Sequence, residues 1–387
     1  MNILDFKIDL NQLDENQIRL SDALLSKMYA TSPQVFDWLD FNNGQVFFEP
    51  TLFHIFFDEH SPKTITLEQA VVGYNNGINI PKSIRVGSNY EGMIYLPKMG
   101  YIKTDNVSKE IEVSSNSLFT IDKKNKSELE LEIPNTPIKI YRHIPDIVVA
   151  LEKGKLIEPA SLTLNSYEGT IKNAVQIMKN NIDDLFHIVE KVTQNLSIFN
   201  SNTQNSFAAI NQHGTAFINV EDRKQNEVFF IEEIAHQCGH IIFNALTLDS
   251  EKYIAMPKTI ELRTIIPNSQ DKRSIYSAFH GLFTYTCILH SLDRCLDKKI
   301  FASQSLLEQD IYARIGFYLD KFISDLLNLN NKSFFTKEGW IFLEEFASGY
   351  KKINRKYDAV VKYFDYTNQN YNFDFRKFQL INQFKTI

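Results

Sequence analysis

The stretch Glu227-Val-Phe-Phe-Ile-Glu-Glu-Ile-Ala-His-Gln-Cys-Gly-His-Ile-Ile-Phe-Asn-Ala-Leu246 decides how the second half of this chain folds. Placed on a helix at about 100° per residue, it divides into two faces. The apolar back face consists of Ile231, Ile234, Cys238, Ile241 and Ala245. The opposite face carries the polar residues between two phenylalanines. The pattern predicts a helix over about 227–247 whose back packs into a core.

The front of this helix combines two imidazoles with two carboxylates. His236 and His240 have the i, i+4 spacing that lets two ring nitrogens reach one metal ion, as in the HExxH motif. Glu232 and Glu233 lie one turn earlier, where they could bind the metal or orient His236. Gln237 stands where metalloproteases have the glutamate that acts as general base. An amide is not basic enough to activate a zinc-bound water, so a conventional zinc peptidase is disfavoured.

Two small residues lie between the histidines. Cys238 points to the apolar face, and we interpret it as a core residue and not a ligand. Gly239 weakens a helix interior by up to ~1 kcal/mol. We interpret it as a place where another element or a ligand comes close.

A second segment, Asp271-Lys-Arg-Ser-Ile-Tyr-Ser-Ala-Phe-His-Gly281, follows downstream. Arg273 and His280 are seven residues apart and share a helix face. His280 is either a core histidine bonded to a backbone carbonyl or a third metal ligand. Arg273 could bind a carboxylate through two parallel hydrogen bonds, and Arg263 in the connecting segment is an alternative.

Composition excludes several classes of protein. The chain has 387 residues, 43% of them hydrophobic and 13% aromatic, which is ample for a core and rules out wholesale disorder. Its net charge of −6 argues against a dedicated nucleic-acid-binding protein. The three cysteines cannot form a disulfide framework. No signal peptide and no apolar run long enough for a bilayer is visible, so we expect a soluble, cytoplasmic protein without a membrane partner.

The periodicity predicts an α+β protein with two regions. Residues 1–145 form a β-rich N-terminal region after one or two short helices, and residues 146–387 form a mainly helical catalytic domain. The N-terminal strands are predicted at 45–48, 83–86, 93–96, 110–113, 127–133 and 138–141, as an antiparallel sheet. A further strand is predicted at 213–220. Helices are predicted at 168–198, 227–247, 272–298, 304–328 and 337–365.

The two segments together resemble a bacterial family of HExxH-motif proteins regarded as iron- and 2-oxoglutarate-dependent peptide β-hydroxylases that act on ribosomally made peptides. In that family the motif helix is followed by Asp-x-Arg-Pro, a short spacer and His-Gly. This chain has Asp271-Lys-Arg-Ser274, then the spacer 275–279, then His280-Gly281. The resemblance covers roughly residues 165–300. The chain departs from the family at Gln237, which replaces glutamate, and at Ser274, which replaces proline.

The resemblance implies Fe(II) bound by His236, His240 and His280, with Arg273 or Arg263 binding the distal carboxylate of 2-oxoglutarate. The substrate would be a precursor peptide, hydroxylated at a Cβ atom. Two histidines plus a third protein ligand, with positions left open, suit such an oxygenase. Since the oxidation needs no side-chain base, Gln237 harms this hypothesis less than it harms a protease.

Glu233 and Gln237 are the further catalytic candidates, and Glu232 or Glu233 are alternatives to His280 as third ligand. A second hypothesis is a zinc metallohydrolase of degenerate HExxH type, with Glu261 or Glu251 as third ligand and Glu233 as a displaced base. A third is a catalytically inactive relative that binds peptides. In the first and third cases a strand edge of the β-rich region could take an extended peptide.

Overall fold

The computed structural model describes all residues except 43, 115–125, 154, 156, 222, 223, 268 and 383–387, and for 126–128 it describes the backbone alone. The chain is a mixed α+β protein in which helices hold 55% and strands 12%, so its sheets are small. The strands are β1 (Asn2–Ile3), β2 (Phe6–Lys7), β3 (Ser83–Gly87), β4 (Met93–Leu96), β5 (Gly100–Lys103), β6 (Glu110–Ser114), β7 (Lys126–Glu128), β8 (Leu131–Glu132), β9 (Lys139–Ile140), β10 (Asn195–Phe199) and β11 (Thr215–Asn219).

The helices include several long enough to carry a core face. They are α1 (Leu10–Thr31), α2 (Pro50–Phe57), α3 (Leu67–Val71), α4 (Asp146–Leu151), α5 (Ala160–Asn181), α6 (Asp183–Val192), α7 (Glu227–Leu246), α8 (Leu262–Ile265), α9 (Ile275–Asp297), α10 (Ser305–Leu329), α11 (Lys337–Val361) and α12 (Phe375–Ile381). Within the described ranges, none of them combines the length and apolar character that a bilayer span requires.

The chain divides into two compact units, each made of separated segments. The helical unit comprises Met1–Leu13, Asn173–Val189 and Asn226–Ile387, and the mixed unit comprises Asp14–Lys172 and Glu190–Gln225. These limits differ from the single boundary near residue 145 that the sequence pattern predicts. The predicted division into a β-rich region 1–145 and a helical domain 146–387 stays a prediction.

The helical unit is built on α7, α9, α10 and α11, which pack against one another. Local signals set where the two central helices begin. The Asn226 side chain accepts a hydrogen bond from the amide of Phe229, so it caps α7. The Ser274 side chain likewise accepts from the amide of Ser277 and caps α9. The residue that departs from the Asp-x-Arg-Pro pattern therefore begins the helix that carries His280.

Phenylalanine rings fill the core of the helical unit and account for part of the aromatic excess. Phe6 of β2 stacks on Phe346 of α11 with 4.7 Å between ring centroids, and its edge meets Phe283 of α9 at 5.2 Å. Phe243 of α7 stacks on Phe283 at 5.0 Å. Edge-to-face and offset pairs of this kind add to the hydrophobic gain of burial. The N-terminal hairpin is thereby part of the same core as the central helices.

The mixed unit contains small sheets of both kinds. In the sheet ordered β11-β10-β9-β8, β10 runs parallel to β9 and to β11, while β8 and β9 are antiparallel. The pairs β3–β6 and β4–β5 are antiparallel, as the sequence predicts. The prediction of antiparallel pairing is wrong for β9, because its second partner β10 comes from outside the predicted region. Strands β10 and β11 are buried along their whole length, as expected when parallel strands are covered on both faces.

Three predicted elements differ from the structure. The predicted strand 45–48 is a 3-10 helix, Gly44–Phe48, because the chain there turns into α2, which begins at Pro50. The predicted helix 168–198 is α5, α6 and β10, because the apolar residues at helical spacing end at Val192 and the strand begins three residues later. The predicted strand 127–133 is divided between β7 and β8.

We expect Phe346→Ala to lower the free energy of unfolding by about 3–5 kcal/mol, because a fully buried ring at the centre of the helical unit is removed and leaves a cavity. Chemical denaturation of purified protein measures this loss.

The matched control is Tyr363→Ala, since Tyr363 is 77% exposed. Its effect should stay within about 0.5 kcal/mol. Equal losses in the two variants would contradict the placement of Phe346 in the core.

Candidate functional site

Helices α7 and α9 bring the three predicted histidines together. The ring centroids of His236 and His240 are 5.0 Å apart, and those of His240 and His280 are 4.6 Å apart. The first distance follows from the i, i+4 spacing on α7. The second requires that α9 lie close against α7 at this level. The structure therefore places side by side the three residues that the sequence predicts as metal ligands.

Gly239 is where α9 approaches α7. A Cβ atom built on this glycine would lie 3.4 Å from Sγ of Cys287 and 3.5 Å from Cα of Thr284, both on α9. The sequence-based interpretation of Gly239 as a point of close approach is confirmed. Cys238 is buried and is not disulfide-bonded, in accord with its interpretation as a core residue.

The surroundings favour the neutral form of all three imidazoles. Loss of hydration lowers the pKa of His240 to about 4 and holds the pKa of His236 and of His280 well below their usual value. His280 is buried, whereas His236 and His240 are partly exposed. Neutral imidazole is the form that binds metal ions, so the three side chains are in the protonation state that a ligand needs.

One ring nitrogen of His280 makes no hydrogen bond to the described residues. Its Nε2 is buried and has no hydrogen-bond partner among the described residues. A neutral imidazole keeps a lone pair on one ring nitrogen, so an imidazole with an unpartnered nitrogen can offer it to a metal ion.

The donor chemistry fits a metal ion, but the side chains do not present a finished coordination site. In the part of the chain that the structure describes, no three His, Cys, Asp or Glu side chains are arranged so that they could hold a metal ion. Neutral imidazoles are nonetheless ligands that Fe(II) and Zn(II) accept. The residues present thus fit a metal in type and in proximity.

Glu232 is engaged elsewhere. One of its carboxylate oxygens accepts a hydrogen bond from Nη1 of Arg314, and the other accepts from the hydroxyl of Tyr318. Arg314 also bonds Asp310 through Nε, at 2.8 Å, and all these groups are buried. We interpret Glu232 as part of this ion-pair network, because acting as a third metal ligand would leave the Arg314 guanidinium short of a partner.

The two catalytic candidates on α7 bond each other. Nε2 of Gln237 donates to Oε2 of Glu233 at 3.2 Å, and Oε1 of Gln237 is buried without a partner among the described residues. A glutamate at position 237 could not donate this bond and would place two carboxylates together. Gln237 departs from the HExxH pattern, and its amide is therefore the group that can donate a hydrogen bond to Glu233.

The guanidinium of Arg273 already forms ion pairs with two carboxylates. Its Nε and Nη2 bond the carboxylate of Asp271 at 2.7–3.1 Å, and its Nη1 and Nη2 bond that of Asp325 at 2.9 and 2.6 Å. Such two-pronged pairs are the strong form of this interaction. Binding an external carboxylate would mean giving up one of the two pairs.

The remaining sequence candidates lie at the surface. Arg263 forms an ion pair with Glu261, and the two side chains are 44% and 36% exposed. Glu251 is exposed in the 3-10 helix Ser250–Lys252. None of the three shares the buried setting of His280.

Sequence reasoning missed the polar stripe on α10. The residues at its spacing of three and four are Asp310, Arg314, Tyr318, Lys321 and Asp325. They follow one face of α10, and Arg314, Tyr318 and Asp325 bond Glu232 or Arg273. The signal was present as polar residues repeated at helical spacing along α10.

Comparison of the chain with models of known protein families finds no match, and comparison with curated proteins finds none. The likeness to HExxH-motif peptide hydroxylases therefore rests on the motif residues alone. The family stays a prediction.

We expect Arg314→Met to lower the free energy of unfolding by about 3–5 kcal/mol, because it leaves the buried carboxylates of Glu232 and Asp310 without their cation. Urea denaturation measures the loss.

Adding Glu232→Gln to Arg314→Met should restore part of that stability, since one of the two orphaned charges disappears. Additive losses in the double variant would contradict the network. Glu232→Gln alone should still bind metal; loss of binding would restore Glu232 as a ligand candidate.

Proposed function

We propose that this chain is a non-haem Fe(II)- and 2-oxoglutarate-dependent oxygenase that hydroxylates a residue of a ribosomally made peptide, at Cβ, in the cytoplasm. The observation that carries the proposal is the group of three neutral imidazoles, His236, His240 and His280, with an unpartnered Nε2 on His280. A bound Fe(II) would supply the activation of dioxygen. The protein's part is to bind the metal through its imidazoles and to leave other positions open.

The surroundings of the imidazoles suit oxidation better than hydrolysis. Phe243 lies against His280, with 4.9 Å between the ring centroids, so one side of the group is apolar. Glu233, the displaced base of the zinc hypothesis, accepts a hydrogen bond from Gln237. A hydrolase needs a base that can take a proton from water, whereas an oxygenase needs a setting that keeps water away.

Gln237 and Glu233 have a supporting role in this proposal. Their hydrogen bond joins residues four apart and so spans one turn of α7. It holds the two side chains to each other on the helix that carries His236 and His240. We assign both residues to positioning of the site.

We expect protein prepared without oxygen to bind about one Fe(II), since three neutral imidazoles supply the ligands. His236→Ala and His240→Ala should each abolish binding, and His280→Ala should weaken it at least tenfold, since each removes one of three ligands. Metal analysis after equilibrium dialysis measures this.

His290→Ala is the control. His290 lies on the same helix as His280, but it bonds Asp184 at 2.9 Å and not the imidazole group. Full iron loading of the His236 and His240 variants would refute the metal site. Zinc binding without iron binding would favour the metallohydrolase.

We expect the iron-loaded protein to release succinate from 2-oxoglutarate in the presence of oxygen and a peptide encoded beside its gene, and the peptide to gain the mass of one oxygen atom. Mass spectrometry of the peptide gives the decisive measurement. Tight peptide binding with no succinate and no mass change would identify an inactive, peptide-binding relative.

A further inference from the structure

A cavity of about 580 Å³ opens in the helical unit, between α9 and α10. Its walls combine aromatic rings with charged side chains. They include Tyr285, Phe317, Lys321, Asp325, Tyr366 and Tyr371. In the described part of the chain, three cations line this cavity: Lys272, Arg273 and Lys321.

The Lys321 ammonium is surrounded by rings. Its Nζ lies 4.2 Å from the ring centroid of Tyr371, 4.9 Å from that of Phe317, and 5.7 and 6.0 Å from those of Tyr318 and Tyr285. Its hydrogen bond goes to the backbone carbonyl of Tyr371, at 2.8 Å. Within the described residues no carboxylate oxygen lies within 4.0 Å of Nζ. A partly desolvated charge of this kind gains strongly from an anionic partner.

The cavity reaches the α9 residues that follow His280. Gly281 follows His280, and a Cβ atom built on it would lie 3.5 Å from Oδ2 of Asp325 and 3.7 Å from Cζ of Tyr285, both on the cavity wall. A small molecule in the cavity would therefore lie against the segment of α9 that carries His280.

Unlike Arg273, Lys321 forms no ion pair with a carboxylate of the described residues. Both carboxylates nearest Arg273 already bond its guanidinium, and Lys272 is exposed at the rim. Burial lowers the pKa of Lys321 to about 8, and it still carries its charge at neutral pH.

We propose that Lys321 binds a carboxylate that enters this cavity. The source of that carboxylate rests on the proposed function: it is either the distal carboxylate of 2-oxoglutarate or an acidic side chain of the peptide. The chemistry is the same in both cases, an ammonium donating to a carboxylate among aromatic rings. The recognition of a carboxylate by Lys321 does not itself depend on the metal.

Two probes distinguish the sources. The first is 2-oxoglutarate. The second is the capped tripeptide Ala-Glu-Ala, compared with Ala-Gln-Ala, which has the same shape and no charge. Calorimetry measures the affinity of each for the wild-type protein, Lys321→Met, Lys321→Arg and Lys272→Met. Acetylation of Lys321 followed by mass spectrometry gives a second readout, since a bound carboxylate should protect the amine.

We expect Lys321→Met to weaken binding of one probe by about tenfold to a hundredfold, the range for a lost hydrogen bond between charged groups. Lys321→Arg should keep most of the affinity because it keeps the charge. Lys272→Met should bind as the wild type does, and thermal unfolding shows whether each variant is folded. The probe that loses affinity, and that protects Lys321 from acetylation, identifies the source.

Two results would overturn the inference. Unchanged affinity of Lys321→Met for the probe that the wild type binds would refute it and leave the proposed function intact. Failure of the wild type to bind either carboxylate would also refute it, whereas the proposed function is tested separately by iron binding and succinate release. Binding of Ala-Glu-Ala through Lys321 without binding of 2-oxoglutarate would support the inference and identify the peptide as the source of the carboxylate.

Discussion

The close crossing of α7 and α9 at Gly239 is the constraint on which the rest of the site depends. A Cβ atom at this position would be in van der Waals contact with Cys287 and Thr284, so α9 lies directly against this turn of α7. The glycine costs up to ~1 kcal/mol of helix stability, and the apolar contact between the helices offsets that cost. Because His240 follows Gly239 directly, this contact also sets the distance between His240 and His280.

The stripe on α10 supports this crossing from the other side. Arg314 and Tyr318 bond Glu232, one turn before His236 on α7, and Asp325 bonds Arg273, just before α9 begins. One helix thus connects to both of the helices that carry the imidazoles. A buried network of this kind is a poor source of net stability, but it penalises alternative packings, because a shifted helix would leave charges unpaired. We regard it as the device that fixes the register of α7 relative to α9.

The sequence predicted the helices of the second half well and the first half only in part. The segment from Glu227 to Leu246 has two clear faces, and its predicted limits agree with α7. Strand β10 was missed although Asn195-Leu-Ser-Ile198 alternates polar and apolar residues, because the run is short and follows a helical period after two residues. The three histidines were found through their spacing and motif. The partners of Glu232 and Arg273 were not, because Arg314 and Asp325 lie 82 and 52 residues away along the chain and spacing cannot reveal long-range ion pairs.

The docking of the N-terminal hairpin has a consequence for synthesis of the protein. Phe6 stacks on Phe346, the amide of Lys7 bonds Glu345 at 3.1 Å, and Ser348 bonds Asp5 at 2.7 Å. The first strands therefore find the last of these partners only after α11 has left the ribosome. At a translation rate of about 5–20 residues per second, tens of seconds separate the synthesis of Phe6 from that of Phe346. The aromatic core can be completed only after that interval, and until then the ring of Phe6 lacks its stacking partner.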